Sequence, residues 1–559
     1  MMQSKMKIMA AALLVQAALG GVALAAPPSP GQMGGSNPAA QLERTREAIE
    51  QERVAEQIRE DRARQGQSKV ENPADTGDMA SESEVTFDLK ALDIDRSEVL
   101  NAAELEDIRA KYVGKPISIK RLYDIVREIN DLYVAKGFIS CRAYLPEQTI
   151  SGSGGVVRIA LFEGRVGSVT VQGNKTTRER FIKDRLHLTT GDFADINLLN
   201  NDLMRFNSTT DVRLQCSLQA GKEKGTTDYV LKAVEPQRRS VTLFADNAGS
   251  YSTGEARTGI FLTDRSLSGN RDALTLGYIG SEGTDAVSAL YSRHAGHSGA
   301  KVELAWNTNA IEIVRAPWDA LKVKGHANAY MLSYVQPWLV TPKTRSEISL
   351  EYGYQNSKTT YTGQPWVDDT LSEVAVNFAL TNYGKRHVFY QKHTLSTAAY
   401  NNEITDKDRQ VSAYRFNGLY QKAMPHRQTL TARLFGQRSG NRLMPSARQF
   451  YIGGMNSVRG YKESFLSGDH GVRVNLEYDF PFYQEKTAKA SAFVFYDYGN
   501  VWGDSAFPNH VLASTGFGLR GNVGNNYNLS FTCGMPLLRE LNGTKVSKTR
   551  FNLFFSALF

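Results

Sequence analysis

Between residue 239 and residue 559, apolar and polar side chains alternate with a period of two, the mark of strands whose faces meet different surroundings. Val302, Leu304 and Trp306 share one face, while Lys301, Glu303 and Asn307 take the other. Ile348, Leu350, Tyr352 and Tyr354 oppose Glu347, Ser349 and Glu351; Val472, Val474, Leu476, Tyr478 and Phe480 oppose Arg473, Asn475, Glu477 and Asp479. A soluble sandwich would hide its apolar face and show water the polar one. Here the polar face is dense with charge and the apolar face rich in Tyr and Trp, which suits lipid on one side and an aqueous lumen on the other. The pattern predicts about sixteen antiparallel strands closed into an all-β transmembrane barrel over 238–559, and closure spares these strands an exposed edge. Connections after even strands are short (266–269, 296–299, 340–343, 383–385, 484–487). Those after odd strands include long ones (310–324, 355–370, 438–471, 502–510, 537–548). That asymmetry belongs to an outer-membrane barrel and not to a repeat-built propeller.

Upstream the period changes. Residues 84–164 read as strand (85–94), helix (101–112), helix (117–136) and two strands (139–148, 155–163). Residues 165–237 repeat that order: strand (166–172), helices (177–185, 196–207), strands (211–220, 228–235). Two small α+β units in tandem make a modular arm whose sheet edges could accept an added strand from a peptide; the plainer reading is a spacer. Residues 37–66 are helical, with Asn37 as N-cap and Pro38 at the first helical position. Leu42, Ile49, Val54 and Ile58 give only a thin apolar stripe among Glu and Arg. Such a helix cannot anchor in a dry core, so it sits in solvent, pairs loosely or occupies a water-filled cavity. A Pro/Gly/Ser-rich segment (26–36) precedes it and a polar linker (67–83) follows it.

Residues 1–25 carry Lys5 and Lys7, an apolar run from 8 to 24 and small residues at 23–25, as a cleavable secretory signal does; a single transmembrane anchor is the alternative. No later apolar run approaches the length of a membrane-spanning helix, and a mean hydropathy of −0.38 does not exclude a barrel, whose strands are half polar. The formal charge of +8 is spread along the chain, without a basic, aromatic-interleaved module, so no nucleic-acid partner is expected. Cys141, Cys216 and Cys533 are too dispersed for a disulfide framework or a zinc cluster.

Three motifs invite an enzymatic or metal-binding reading. Gly516-x-Gly518-x-x-Gly521 matches a dinucleotide fingerprint, yet it lies within a strand with no helix after it. Asp93-x-Asp95-x-Ser97 with Glu104 imitates a calcium loop, but Glu98 stands where the turn glycine belongs; an acidic strand-to-helix cap is the simpler reading. His294 and His297 sit at an expected tight turn. No nucleophile–base constellation and no Walker motif is present, and neither catalytic residues nor a cofactor or metal are expected. The remaining candidate is the glycine-rich loop Gly453-Gly454-Met-Asn-Ser-Val458-Arg459-Gly460-Tyr461 within 439–470. Strand counting makes it the sixth outer loop. Alternation on a later strand turns Phe495, Asp497 and Gly499 inward and Tyr496 and Tyr498 to lipid. Folded into the barrel, an Arg459–Asp497 pair would cost about 2–5 kcal/mol to break; in an outer solvent loop it would be worth roughly 0–1 kcal/mol.

With Val458-Arg459-Gly460-Tyr461, Phe495-x-Asp497-x-Gly499, the paired α+β units, the leading helix and terminal Phe559, essentially the whole mature chain resembles the TpsB transporters of two-partner secretion. These are the haemolysin secretion/activation type within the POTRA-barrel superfamily. The resemblance implies an outer-membrane translocator, driven by no nucleotide, with POTRA-like domains in the periplasm of a Gram-negative cell. They would capture a large exported TpsA-like partner (an adhesin, haemolysin or contact-dependent toxin), which then passes through the barrel. It also implies a plug role for the helix, a loop-to-wall lock between Arg459 and Asp497, and a Phe559 signal read by the barrel assembly machinery, with outer-membrane lipid around the barrel. The proline-rich stretch before the helix is longer than the plug role needs. The alternatives are a barrel-protein insertase, a passive porin or receptor, and an outer-membrane enzyme. Two docking units and a plug helix favour gated export.

Overall fold

The structure, a computed structural model, describes residues 37–64, 86–149, 155–316, 318–504, 510–524 and 526–559. The expected signal segment 1–25, the stretch 26–36 and the linker 67–83 lie outside them. Sixteen strands hydrogen-bond into one closed antiparallel barrel, from Arg239–Asp246 to Arg550–Leu558. The last strand closes on the first, with Phe554 opposite Asp246 and Leu558 opposite Thr242. Phe559 completes that seam: its amide donates to the Val241 carbonyl (2.8 Å), and its own carbonyl accepts the Val241 amide (2.9 Å).

Alternation translates into two environments. Along His470–Gln484, Arg473, Asn475 and Glu477 are buried inside, while Leu476 is 41% exposed on the outer face. Leu304 and Trp306, then Leu350, Tyr352 and Tyr354, likewise face outward, against buried Glu303. Residues 355–370 depart from expectation: they are strand, not loop. Thr344–Tyr361 and Gln364–Tyr383 run on and meet at Thr362-Gly363, both at positive φ (47° and 80°). That is the type I′ geometry whose twist suits a hairpin. Polar residues cover both faces there (Gln355, Ser357 and Thr359 inward, Lys358 outward), so hydropathy stops alternating although the backbone does not.

The first α+β unit comprises Thr86–Ile94, helix Ala102–Tyr112, Pro116–Ser118, helix Ile119–Ala135, Cys141–Tyr144 and Gly155–Glu163. The expected order misses Pro116–Ser118, an edge strand pairing Ile117 with Phe87. Three residues are too few to show a period. Leu122, Ile125, Ile129 and Tyr133 of the second helix pack on Leu89, Val157 and Ile159. The acidic link is a cap: Asn101 accepts the Ala103 amide, Glu104 accepts the Asn101 amide, and Ser97 donates to Glu163. The second unit follows the expected order, Arg165–Gln172, Glu179–Lys183, Ile196–Thr209, Arg213–Ala220 and Thr226–Val234, around a core of its own. Cys141 and Cys216 are free thiols buried in these cores, pushed up by burial to about 11 and about 12. His294 packs edge-on against Phe181 of the second unit, their ring centroids 5.4 Å apart.

Candidate functional site

Residues 440–469, between the eleventh and twelfth barrel strands, fold back into the lumen and are not structureless: Phe450–Ile452 pairs with Leu466–Gly468 as a small hairpin. Ile452, Val458, Tyr461 and Leu466 of this loop form a dry cluster with Val501 and Leu512 of the wall. Gly499 makes that contact possible, since a side chain there would strike Val458 and Ile452. Gly460, at φ 94°, turns the tip.

At the tip, Arg459 grips Asp497 of the strand Ala488–Trp502 three times. The Arg459 amide and Nε donate to Oδ2 (3.0 and 2.8 Å), and Nη2 donates to Oδ1 (2.9 Å). Asp497 is 0% exposed. A planar guanidinium fork meeting a carboxylate in this way is the strong, directional form of the contact. Val458, Arg459, Gly460 and Tyr461 thus come together with Phe495, Asp497 and Gly499 at one wall, while Phe559 lies apart at the barrel seam.

Several partners were not singled out in the sequence. Arg459 Nη1 donates to Glu477 Oε2 (2.8 Å), and Arg520 Nη1 donates to the other oxygen of Glu477 (2.6 Å). Asn475 donates to Asp497 Oδ1 (2.9 Å) and to the Ser457 carbonyl (2.6 Å), tying the carboxylate to the loop. Glu477 and Asn475 were legible as inward by parity. That they face Phe495 and Asp497 across the strand pair depends on register. The glycines of the fingerprint-like motif also serve here. Gly516 and Gly518 lie opposite Phe495 and Phe493 and leave room for those rings to lie across the wall. Arg459 then stacks 3.6 Å from the Phe495 centroid, and Arg520 4.0 Å from that of Phe493.

The tip also touches the strand Tyr527–Pro536. A Cβ at Gly534 would lie 2.5 Å from the Gly460 nitrogen and 2.9 Å from the Arg459 carbonyl carbon. Gly534→Ala is therefore expected to push the tip off the wall while leaving both charged partners in place, at about 1–3 kcal/mol, the usual cost of overpacking. Faster protease cleavage within 453–465, in a barrel that remains heat-resistant in gels, is the readout; unchanged cleavage would show that the close approach does not hold the tip.

The second lumenal element is the helix Pro38–Arg64. Asn37 caps it, accepting the Ala39 and Ala40 amides, and also donates to Ser446 of the inward loop (2.8 Å). Its charges pair with those of the wall and of the inward loop. Arg46 pairs with Glu351, and Arg53 forks onto Glu303 (2.6 and 3.2 Å). Glu50 pairs with Lys392, Glu47 with Arg473 (2.6 Å), and Glu43 lies 3.7 Å from Arg448 of the inward loop and 3.9 Å from Arg415. Apolar anchorage is slight: Leu42 lies on Ala327, and Val54 and Ile58 on Tyr383, Val388, Tyr390 and Leu419. Ile49 of the expected stripe is exposed.

The haemolysin secretion/activation proteins ShlB/FhaC/HecB match residues 225–521, more than half the chain, and the ShlB-type POTRA domain matches 87–164. The heme/hemopexin transporter protein HuxB of Haemophilus influenzae is 23% identical over 479 residues, covering 81% of this chain and 84% of HuxB. The outer membrane transporter CdiB of Dickeya dadantii is 24% identical over 406 residues, 69% of this chain and 71% of that one. Among solved structures, CdiB from Escherichia coli superposes with a TM-score of 0.68 at 18% identity, covering 96% of this chain and 100% of CdiB, a likeness of fold. These relatives are transporters, which favours export over the insertase and porin alternatives, and the barrel lies in the outer membrane with its POTRA region in the periplasm. The chain belongs to the haemolysin secretion/activation family, the TpsB transporters of two-partner secretion.

Proposed function

We propose that this transporter is a doubly gated conduit. The two α+β units capture a large TpsA-like partner in the periplasm, the helix Pro38–Arg64 leaves the lumen as a plug, and the Arg459–Asp497 lock releases or reshapes the inward loop as the partner passes. Folding of the partner outside the cell supplies direction, and no nucleotide is consumed. The barrel wall meets outer-membrane lipid, and Phe559 at the seam is the residue that the barrel assembly machinery reads.

One observation carries the reading: ion pairs and hydrogen bonds tie both lumenal elements to the wall, and the helix has only slight apolar anchorage there. Removing paired charges from water offsets much of their attraction, so such elements are held in place without being strongly bound. The test compares culture-medium proteins of cells with and without the gene. At least one large protein should disappear from the medium and remain cell-associated when the gene is absent, and an unchanged set would remove the reading.

A further inference from the structure

The second α+β unit is seated on the barrel's periplasmic turns. Arg271 pairs with Asp211 and donates to Thr176 Oγ1 (3.2 Å), the Arg178 amide donates to the Gly269 carbonyl (2.8 Å), and Arg185 Nη2 donates to the Gly296 carbonyl (2.8 Å). A further contact differs in kind because it reaches a third body. Arg345 lies at the start of the strand Thr344–Tyr361. Its Nε and Nη2 are fixed on Glu347 Oε1 (2.9 and 2.5 Å), which sets the plane of the guanidinium. The remaining nitrogen, Nη1, donates to the Ser208 carbonyl (2.6 Å) and lies 3.8 Å from Asp61 Oδ2 of the lumenal helix.

Ser208 is in the last turn of the helix Ile196–Thr209, where carbonyls have no intrahelical donor and the macrodipole favours a cation. That turn carries no basic residue, so the cation comes from the barrel. Asp61 also accepts the Tyr383 hydroxyl (2.5 Å), beside the Ile58–Tyr383 contact that is the lumenal helix's lower apolar anchor. One guanidinium orientation therefore serves both the seated unit and the foot of the helix.

We propose that Arg345 is a positioning residue that couples the second POTRA-like unit to the plug: while the unit is seated, the Ser208 carbonyl holds Nη1 toward Asp61, and displacement of the unit by a bound partner loosens the foot of the helix. This rests on reading the helix as a displaceable plug. A strand-stabilising role for Arg345 would leave plug opening independent of how the unit is seated, so a double-mutant cycle separates the two.

The experiment records the open fraction of the intact chain in planar bilayers. Arg345→Ala should raise it about tenfold, within the range of ordinary intersite coupling, and Arg345→Lys, which keeps the charge but loses the fork on Glu347, should raise it less. Loosening the seat with Arg271→Ala plus Arg185→Ala should also raise it. Adding Arg345→Ala to that pair should then produce no further rise. Additive effects, or native behaviour of Arg345→Ala, would overturn the coupling. Should Arg345→Ala fail to insert, Asp61→Asn tests the same foot while leaving the Ser208 contact intact, and a native open fraction there overturns it equally. The helix-deleted protein is the control. A wide pore in that control beside a native Arg345→Ala channel defeats the coupling alone; no change on helix deletion defeats the plug reading and the coupling with it.

Discussion

Arg459→Ala is expected to abolish appearance of the exported partner in the medium while the barrel remains inserted. The substitution removes both side-chain hydrogen bonds to Asp497 and the one to Glu477, and leaves Asn475 as the one side-chain donor described above to a carboxylate at 0% exposure. The backbone amide of residue 459 could still reach Asp497, but only if the tip stays seated. Removing one member of such a buried pair typically costs about 3–5 kcal/mol, a factor of roughly a hundred or more in the equilibrium between seated and released loop. Asp497→Ala should match it, since Arg459 would be left on the Phe495 ring with Glu477 alone. Immunoblots of medium and cells, with the heat-induced gel shift of the barrel as a control for insertion, check both variants. Full secretion by both would sink the lock.

Deleting residues 38–64 should convert a channel of small, rare openings into a wide, constitutive pore. The helix lies in the lumen, and its charges pair with those of the wall around it: Arg53 and Arg46 with Glu303 and Glu351, Glu50 and Glu47 with Lys392 and Arg473. The paired groups are partly exposed (Arg53 to 54%, Glu47 to 41%), so their contribution is small and screened by salt. Raised ionic strength should therefore increase spontaneous opening of the intact chain and have no such effect on the deletion. Planar-bilayer conductance measures both. A large constitutive pore in the intact protein would mean that the helix does not plug it.

Much of this was legible from local pattern. A period of two with charge on one face and Tyr, Trp and Leu on the other specifies a barrel wall, because each residue's facing is set by the backbone alone. The same parity turned Asp497 and Phe495 inward before any register was known. Where both faces are polar, as in 355–361, the pattern failed although the strand continued, and Pro116–Ser118 was too short to register. The contact at the loop tip was half readable. Arg459 and Asp497 were named as partners, but Glu477 shared with Arg520, the Gly516–Phe495–Arg459 layering and the Gly460–Gly534 approach were not.

The sequence by itself determined the classes of element: an amphipathic wall, two small α+β units, a charged helix without a core face, and a loop with an arginine at its tip. Only the tertiary structure decided what those charges meet. Strand register selects which inward side chains are opposite one another, and the inward fold of residues 440–469 brings together groups far apart in the chain. A charge displays its sign in the sequence, but whether it is solvated or paired depends on the dielectric and the neighbour it finds after folding. For Arg459, that neighbour is a carboxylate with no access to water.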